Sequence, residues 1–151
     1  MTIIVNAIGK LKKNTPEVSL IDMYLTRLQG KVQLKEFEEK RLLTGKTLAK
    51  AETTLLLSNV SPDTVLFVLD EQGQEYTSPE FAALLKSYLD IGKTVTFCIG
   101  GAAGHSPTIR EKADKVISLG KMTLPHSFAR VVLIEQLYRA HTIWNNHPYH
   151  K

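Results

Sequence analysis

The sequence TVLFVLDEQGQEYTSPEFAALLKSYLDIGKTVTFCIG, residues 64–100, decides the fold class of this chain. It contains two continuous apolar runs, at 64–70 and 94–100, and such runs are typical of strands that are covered on both faces. Between them the tripeptide SPE at 78–80 predicts the start of a helix, whose apolar residues then recur at helical spacing. A buried strand, a helix and a second buried strand predict parallel pairing in an α/β domain.

The same alternation continues on both sides of this stretch. The further predicted strands are TIIVNAI at 2–8, VQLKEFE at 32–38 and KVISL at 115–119, and the further predicted helices begin near Thr15, near 46, at Ser106 and near 126. The segment at 32–38 alternates apolar and polar side chains, which is typical of an edge or near-edge strand. We therefore predict one α/β domain over residues 1–151 with a mostly parallel sheet.

The length and composition exclude several classes of protein. A chain of 151 residues is the size of one domain and can bury roughly 70% of its unfolded surface. No apolar run approaches the roughly 20 residues that span a bilayer, and the apolar patch at the N-terminus is too short for a secretory signal. We therefore expect a cytoplasmic protein with no membrane partner. The single Cys98 excludes an intrachain disulfide and a cysteine-based metal cluster.

The positive charge is concentrated near the C-terminus. Residues 1–100 contain twelve basic and twelve acidic residues, whereas residues 101–151 contain seven basic and three acidic residues, which accounts for the net charge of +4. All five histidines also lie in that last third. This distribution favours an anionic partner, with nucleic acid as the first candidate.

Three loops follow predicted strands at the edge where ligands bind in parallel sheets. The first loop, residues 69–73, contains an acidic residue that could accept hydrogen bonds from a ligand or cap a neighbouring loop. The glycine turn, residues 100–104, would let backbone amides approach a ligand, although a plain tight turn has the same composition. The third loop, residues 119–126, suits a flat heteroaromatic ring, or is simply the start of a helix with Thr123 near its cap.

The chain ends in an apolar helix and a polar tail, KMTLPHSFARVVLIEQLYRAHTIWNNHPYHK at 121–151. The helix at about 126–144 is apolar nearly all round, so its second side needs a partner, and a homodimer follows as a hypothesis. The tail at 145–151 is idle by default, but its aromatic and basic groups could contact RNA. The two histidines of the tail lack a third ligand at useful spacing, so we predict no metal site.

Several motifs together resemble one family, the RlmH group of SPOUT-class methyltransferases. The motifs are AIGKLK at 7–12, YLTRL at 24–28, LD-x-x-G at 69–73, FCIGGAAG at 97–104, LGKMTLPH at 119–126, RVVLIEQLYRA at 130–140 and HPYHK at 147–151. The resemblance covers nearly the whole chain. It departs from the family at Ala102 and Ala103, where polar or acidic residues are common, and over about 40–62, which matches poorly.

The resemblance implies a five- to six-stranded SPOUT fold with helices on both faces and a trefoil knot within about 64–151. It also implies a homodimer that binds S-adenosylmethionine and methylates N3 of a pseudouridine in large-subunit ribosomal RNA on assembled ribosomes. The alternatives are a silent RNA-binding or ribosome-associated protein, and a SPOUT methyltransferase with another RNA target.

Site residues follow from the same motifs. The implied methyl-donor contacts are Leu69, Gly100, Leu119, Gly120, Lys121, Met122, Thr123 and Leu124. Direct methyl transfer needs no metal but benefits from a base, for which Tyr149 and His150 of the tail are the candidates. The candidate RNA contacts are Arg130, Arg139, His147 and Lys151, although Arg130 and Arg139 could instead form interface ion pairs.

Overall fold

The protein forms a five-stranded sheet with helices on both faces, as a computed structural model that describes residues 2–151 shows. The strand order is β2-β1-β4-β3-β5, and every neighbouring pair is parallel. The strands are β1 (Ile3–Ile8), β2 (Val32–Phe37), β3 (Thr64–Glu75), β4 (Thr94–Ile99) and β5 (Lys115–Ser118). The predicted α/β class, the parallel sheet and the edge position of β2 are therefore confirmed.

Five helices connect and follow the strands. They are α1 (Pro16–Leu28), α2 (Gly45–Ser58), α3 (Ser78–Leu89), α4 (Pro107–Lys112) and α5 (His126–Trp144). Alternate residues of β3 enter two different cores, because successive side chains of a strand point to opposite faces. Phe67 packs in a core with residues of α1, α3 and α5, whereas Leu66 and Val68 pack with Cys98 and residues of α2 and α4.

Strand β3 is longer than the sequence predicts. It extends to Glu75, but Leu69 and Gln74 both pair with Ile117 of β5, so the predicted loop residues 70–73 bulge out of the ladder between them. A Cβ atom on Gly73 would lie 2.6 Å from the backbone carbonyl carbon of Ile117 in β5. The irregular part of β3 therefore lies directly against β5, and only glycine fits there.

Helix α5 is partly covered by other helices of the same chain. It packs between α1 and α3, and its Leu133, Ile134 and Leu137 are buried in the larger core. The Nε1 of Trp144 donates a hydrogen bond of 2.8 Å to the carbonyl of Ala82 in α3. Phe128 of this helix remains 50% exposed, so the homodimer expected from its apolar surface stays a prediction. The implied knot stays a prediction.

Candidate functional site

A cavity of about 780 Å³ opens at the carboxyl ends of β3, β4 and β5. All three loops that the sequence singled out line it, together with the start of α5. The lining residues are Leu69, Asp70, Glu71, Gln72, Ile99, Gly100, Gly101, Ala102, Ala103, Gly104, His105, Arg110, Leu119, Gly120, Met122, Thr123, Leu124, Pro125, His126 and Ala129. The fold thus joins segments that are up to 60 residues apart in the sequence.

Most of the predicted donor contacts meet in this cavity. Among its lining are Leu69, Gly100, the pair Leu119 and Gly120, and the segment 122–124. Lys121 is exposed and does not line the cavity, so the structure separates it from the others. The binding roles themselves stay predictions. The N-cap of α5 is Pro125, so Thr123 lies near the helix start, as the alternative interpretation of this loop expected.

His105 forms one wall of the cavity, which the sequence did not single out. Its ring lies against Gly100, where a Cβ atom would be 3.1 Å from the His105 Cε1. Burial lowers the pKa of His105, with the negative charge of Asp70 opposing this effect. The ring is therefore neutral near pH 7, and its buried Nε2 has no hydrogen-bond partner among residues 2–151.

Hydrogen bonds hold the loops around the cavity in place. The carboxylate of Asp70 pairs with Arg110 at 2.7 Å and accepts a hydrogen bond from the backbone N–H of Gln72 at 2.9 Å. The hydroxyl of Thr123 donates to Glu71 at 2.7 Å, which joins the third loop to the first. Asp70 therefore has the structural role that was the alternative to ligand binding.

A buried carboxyl group on α2 supports the glycine turn from below. Glu52 is 8% exposed, and both of its carboxyl oxygens lie 3.2 Å from the position of a Cβ atom on Gly101. Burial raises the pKa of Glu52, and the nearby charge of Glu39 raises it further. Sequence analysis missed this residue because it lies in the segment that matches the family poorly.

We expect the substitution Glu52→Gln to stabilise the protein near neutral pH. Because the folded state binds the Glu52 proton more tightly than the unfolded state, stability falls as pH rises above the ordinary pKa of 4.5. Glutamine has the same shape without this loss. Thermal unfolding at pH 7.5 should show a Tm higher by roughly 2 °C, and at pH 4 the two proteins should differ little. A lower Tm at pH 7.5 would mean that the ionised carboxylate is stabilising.

The structure corrects the prediction that Arg130 contacts RNA. The side chain of Arg130 is fully buried. Its guanidinium pairs with Glu36 in β2 and donates to the carbonyl of Ile8 at the end of β1. A buried guanidinium held by these partners cannot reach a phosphate at the surface. Its role is to fasten α5 to the ends of the first two strands.

The polar tail folds back on its own helices. The hydroxyl of Tyr149 donates to Glu135 at 2.9 Å and lies 3.2 Å from the hydroxyl of Tyr24. Arg139 pairs with Glu135 at 2.6 Å and lies over the ring of Tyr149. A side-chain nitrogen of Arg139 lies 3.0 Å from the Nδ1 of His150. The candidate RNA contact Arg139 is thus engaged with the tail, whereas His147 and Lys151 are exposed.

The proposed catalytic residues do not line the cavity of their own chain. Neither Tyr149 nor His150 is among the lining residues. Burial, followed by hydrogen bonding, raises the pKa of Tyr149, so its phenol is not a base in this arrangement. Because arginine can only donate, the Nδ1 of His150 accepts from Arg139, and a neutral ring has its proton on Nε2.

The chain shows neither a metal cluster nor a membrane span in the part that the structure describes. No group of three or more histidine, cysteine, aspartate or glutamate side chains in residues 2–151 could hold a metal ion. Over the same residues, no helix has the length and apolar character to cross a bilayer.

The chain is similar over its full length to known methyltransferases. The family described as "Predicted SPOUT methyltransferase" matches residues 1–150. A protein of Paramagnetospirillum magneticum named ribosomal RNA large subunit methyltransferase H is 43% identical over 152 residues, which cover 100% of this chain and 99% of that protein. A protein of the same name from Rhizobium leguminosarum is 39% identical over 154 residues, covering 96% of each chain.

A solved structure supports the fold. The structure of a probable methylase family protein from Haemophilus influenzae matches with a TM-score of 0.58 at 15% sequence identity, covering 99% of this chain and 70% of that one. The family match, the full-length relatives and a cavity built from the family's motifs agree. The chain belongs to the SPOUT methyltransferase family.

Proposed function

We propose that this protein transfers a methyl group from S-adenosylmethionine to N3 of a pseudouridine in large-subunit ribosomal RNA, acting on assembled ribosomes in the cytoplasm. The observation that carries the proposal is the meeting of three motif-bearing loops in one preorganised cavity. The relatives named above act, by their names, on large-subunit ribosomal RNA.

The lining of the cavity suits a cationic methyl donor. S-adenosylmethionine would supply an electrophilic methyl group on a sulfonium, which needs alignment rather than activation. Leu119, Leu124 and Ile99 offer apolar contacts for a flat ring, and the glycine turn exposes backbone amides. The lining contains two carboxylates, those of Asp70 and Glu71, and one guanidinium, that of Arg110. This charge balance favours a ligand with net positive charge.

The proposed enzyme acts as a homodimer. Large apolar side chains remain exposed near the cavity, with Met122 85% exposed and Phe128 50% exposed. The tail, with its candidate base His150, lies away from the cavity of its own chain. A partner subunit would cover the apolar side chains and bring a tail to the cavity. There His150, with its Nδ1 released from Arg139, would accept on that nitrogen the proton that leaves the acceptor nitrogen.

Two measurements test this function. Calorimetry with the pure protein should show binding of S-adenosylmethionine, and mass spectrometry of ribosomal RNA from cells lacking the protein should show loss of the methylated pseudouridine. Addition of the protein and the donor to ribosomes from those cells should restore it. No donor binding would favour a silent RNA-binding protein, whereas donor binding with an unchanged pseudouridine would indicate another RNA target.

A further inference from the structure

We propose that the loops after β1 and β2 form the surface that binds the phosphate backbone of the RNA. The surface consists of Lys10, Lys12, Lys13 and Lys40, which we call the lysine ridge. All four side chains are exposed, and none has a salt-bridge partner among residues 2–151. The inference rests on the proposed function, because it assigns the side from which that RNA approaches the cavity.

The sheet places the lysine ridge beside the cavity. Strands β1 and β2 run parallel to β3, β4 and β5. The loops that follow β1 and β2 therefore lie at the carboxyl ends of the strands, where the cavity also lies. The end of β1 borders the lining directly: a Cβ atom on Gly101 would be 3.0 Å from the Cγ2 of Ile8. A Cβ atom on Gly9 would be 3.8 Å from the Nε2 of His126, another lining residue. Bases in the cavity and phosphates on the ridge can therefore belong to one RNA segment.

The loop that carries three of these lysines is ordered. The N–H of Gly9 donates to the carbonyl of Phe37 at 2.6 Å, and the N–H of Leu11 donates to Glu36 at 3.1 Å. The same carboxylate of Glu36 pairs with the buried Arg130. Farther along, the hydroxyl of Thr15 donates to the carbonyl of Lys12 at 2.9 Å. An ordered loop loses little conformational entropy on binding, which favours its use as a contact surface.

Charge is distributed unevenly around the cavity. On the β1 and β2 side the four unpaired lysines of the ridge outnumber the exposed carboxylate of Glu38, and Arg41 there is neutralised by Glu39. On the opposite side, β3 contributes the carboxylate of Asp70, which Arg110 neutralises, and that of Glu71, which has no salt-bridge partner among residues 2–151. Phosphates are attracted by lysines and repelled by carboxylates, so the RNA backbone is expected to pass over β1 and β2. Counting charges along the sequence missed this surface, because residues 1–100 sum to zero.

The test is a fourfold substitution of the lysine ridge to glutamine, assayed on ribosomes from cells that lack this protein. We expect KM for ribosomes to rise at least about tenfold at 100 mM salt, because each phosphate contact contributes to salt-dependent affinity. The slope of log affinity against log salt should become less steep by about 3. The value of kcat at saturating ribosomes and the affinity for S-adenosylmethionine should stay within about twofold, because the ridge does not line the cavity.

The matched control replaces four lysines that lie at the amino ends of the strands, opposite to the cavity. Lys31 and Lys93 directly precede β2 and β4, and Lys86 and Lys112 lie in the last turns of α3 and α4. Their fourfold glutamine variant has the same net charge as the ridge variant and should keep the wild-type KM and salt slope. Equal losses in both variants, or none in the ridge variant, would overturn the proposal.

Ribosome binding by sedimentation, measured without donor, separates this inference from the proposed function. Suppose that the wild-type protein methylates ribosomes and that the ridge variant still sediments with them normally. This result would refute the role of the lysine ridge but not the proposed function. Wild-type protein that neither binds the donor nor methylates would refute the proposed function. In that case weaker sedimentation of the ridge variant than of the control would still support the ridge.

Discussion

Deletion of residues 147–151 is expected to lower methylation of ribosomes by about 100-fold or more, the scale of a lost general base, while changing the affinity for S-adenosylmethionine less than about twofold. The tail carries His150, the candidate proton acceptor, but lines no part of the cavity in its own chain. Single-turnover methylation and calorimetry measure the two quantities separately. Full activity after the deletion would show that the tail has no role in catalysis.

A subunit-mixing experiment would show whether the tail acts on the partner. The variant Gly100→Val should fail to bind the donor, because a Cβ atom at that position already lies 3.1 Å from the ring of His105. If the tail acts across the dimer, a mixed dimer of this variant with the truncated chain has one complete site. Random exchange would make about half of the dimers mixed, so activity should recover to about a quarter of wild type. No recovery would mean that each tail serves its own chain.

The substitution Gly73→Ala is expected to lower the free energy of unfolding by about 3 kcal/mol, at the upper end for an overpacked core. A Cβ atom there would lie 2.6 Å from the carbonyl carbon and 2.7 Å from the nitrogen of Ile117. The obstacle is the backbone of β5, which is paired along β3 and cannot move aside as a flexible side chain could. The irregular part of β3 would have to separate from β5, which would also displace the first loop from the cavity.

Chemical denaturation measures this loss, and donor affinity should fall with it. The control is Gln72→Ala, which adds no atom and changes an exposed side chain one residue away. It should alter stability by less than about 0.5 kcal/mol. A Gly73→Ala protein as stable as wild type would show that β3 and β5 can separate without cost.

The strands and helices could be predicted well because their signals are local. The continuous apolar runs at 64–70 and 94–100 are strands buried on both faces, and the alternating segment at 32–38 is an edge strand. The end of β3 could not be predicted, because its sequence DEQGQE is polar and typical of a loop. Its strand conformation depends on pairing with β5, more than 40 residues later.

The cavity could be predicted from its motifs, but the partners of charged residues could not. Arg130 and Glu36 are separated by 94 residues in sequence, and nothing local indicates that they pair in the interior. The spacing of α5 showed correctly that it is apolar nearly all round, yet not that α1 and α3 are the helices that pack against it. The order of the strands likewise decides which loops surround the cavity, and periodicity contains no information on that order.

The position of β1 between β2 and β4 has a consequence for how this protein folds during its synthesis. Ile3 in β1 pairs with Val95 in β4. The interior of the sheet therefore cannot form until β4 has been synthesised. The last lining residue of the cavity, Ala129, is synthesised later still. Contacts so distant in sequence are associated with slow folding. A nascent chain would acquire this cavity only after residue 129 has been made, and a ligand that binds the finished cavity would stabilise the folded state against reopening.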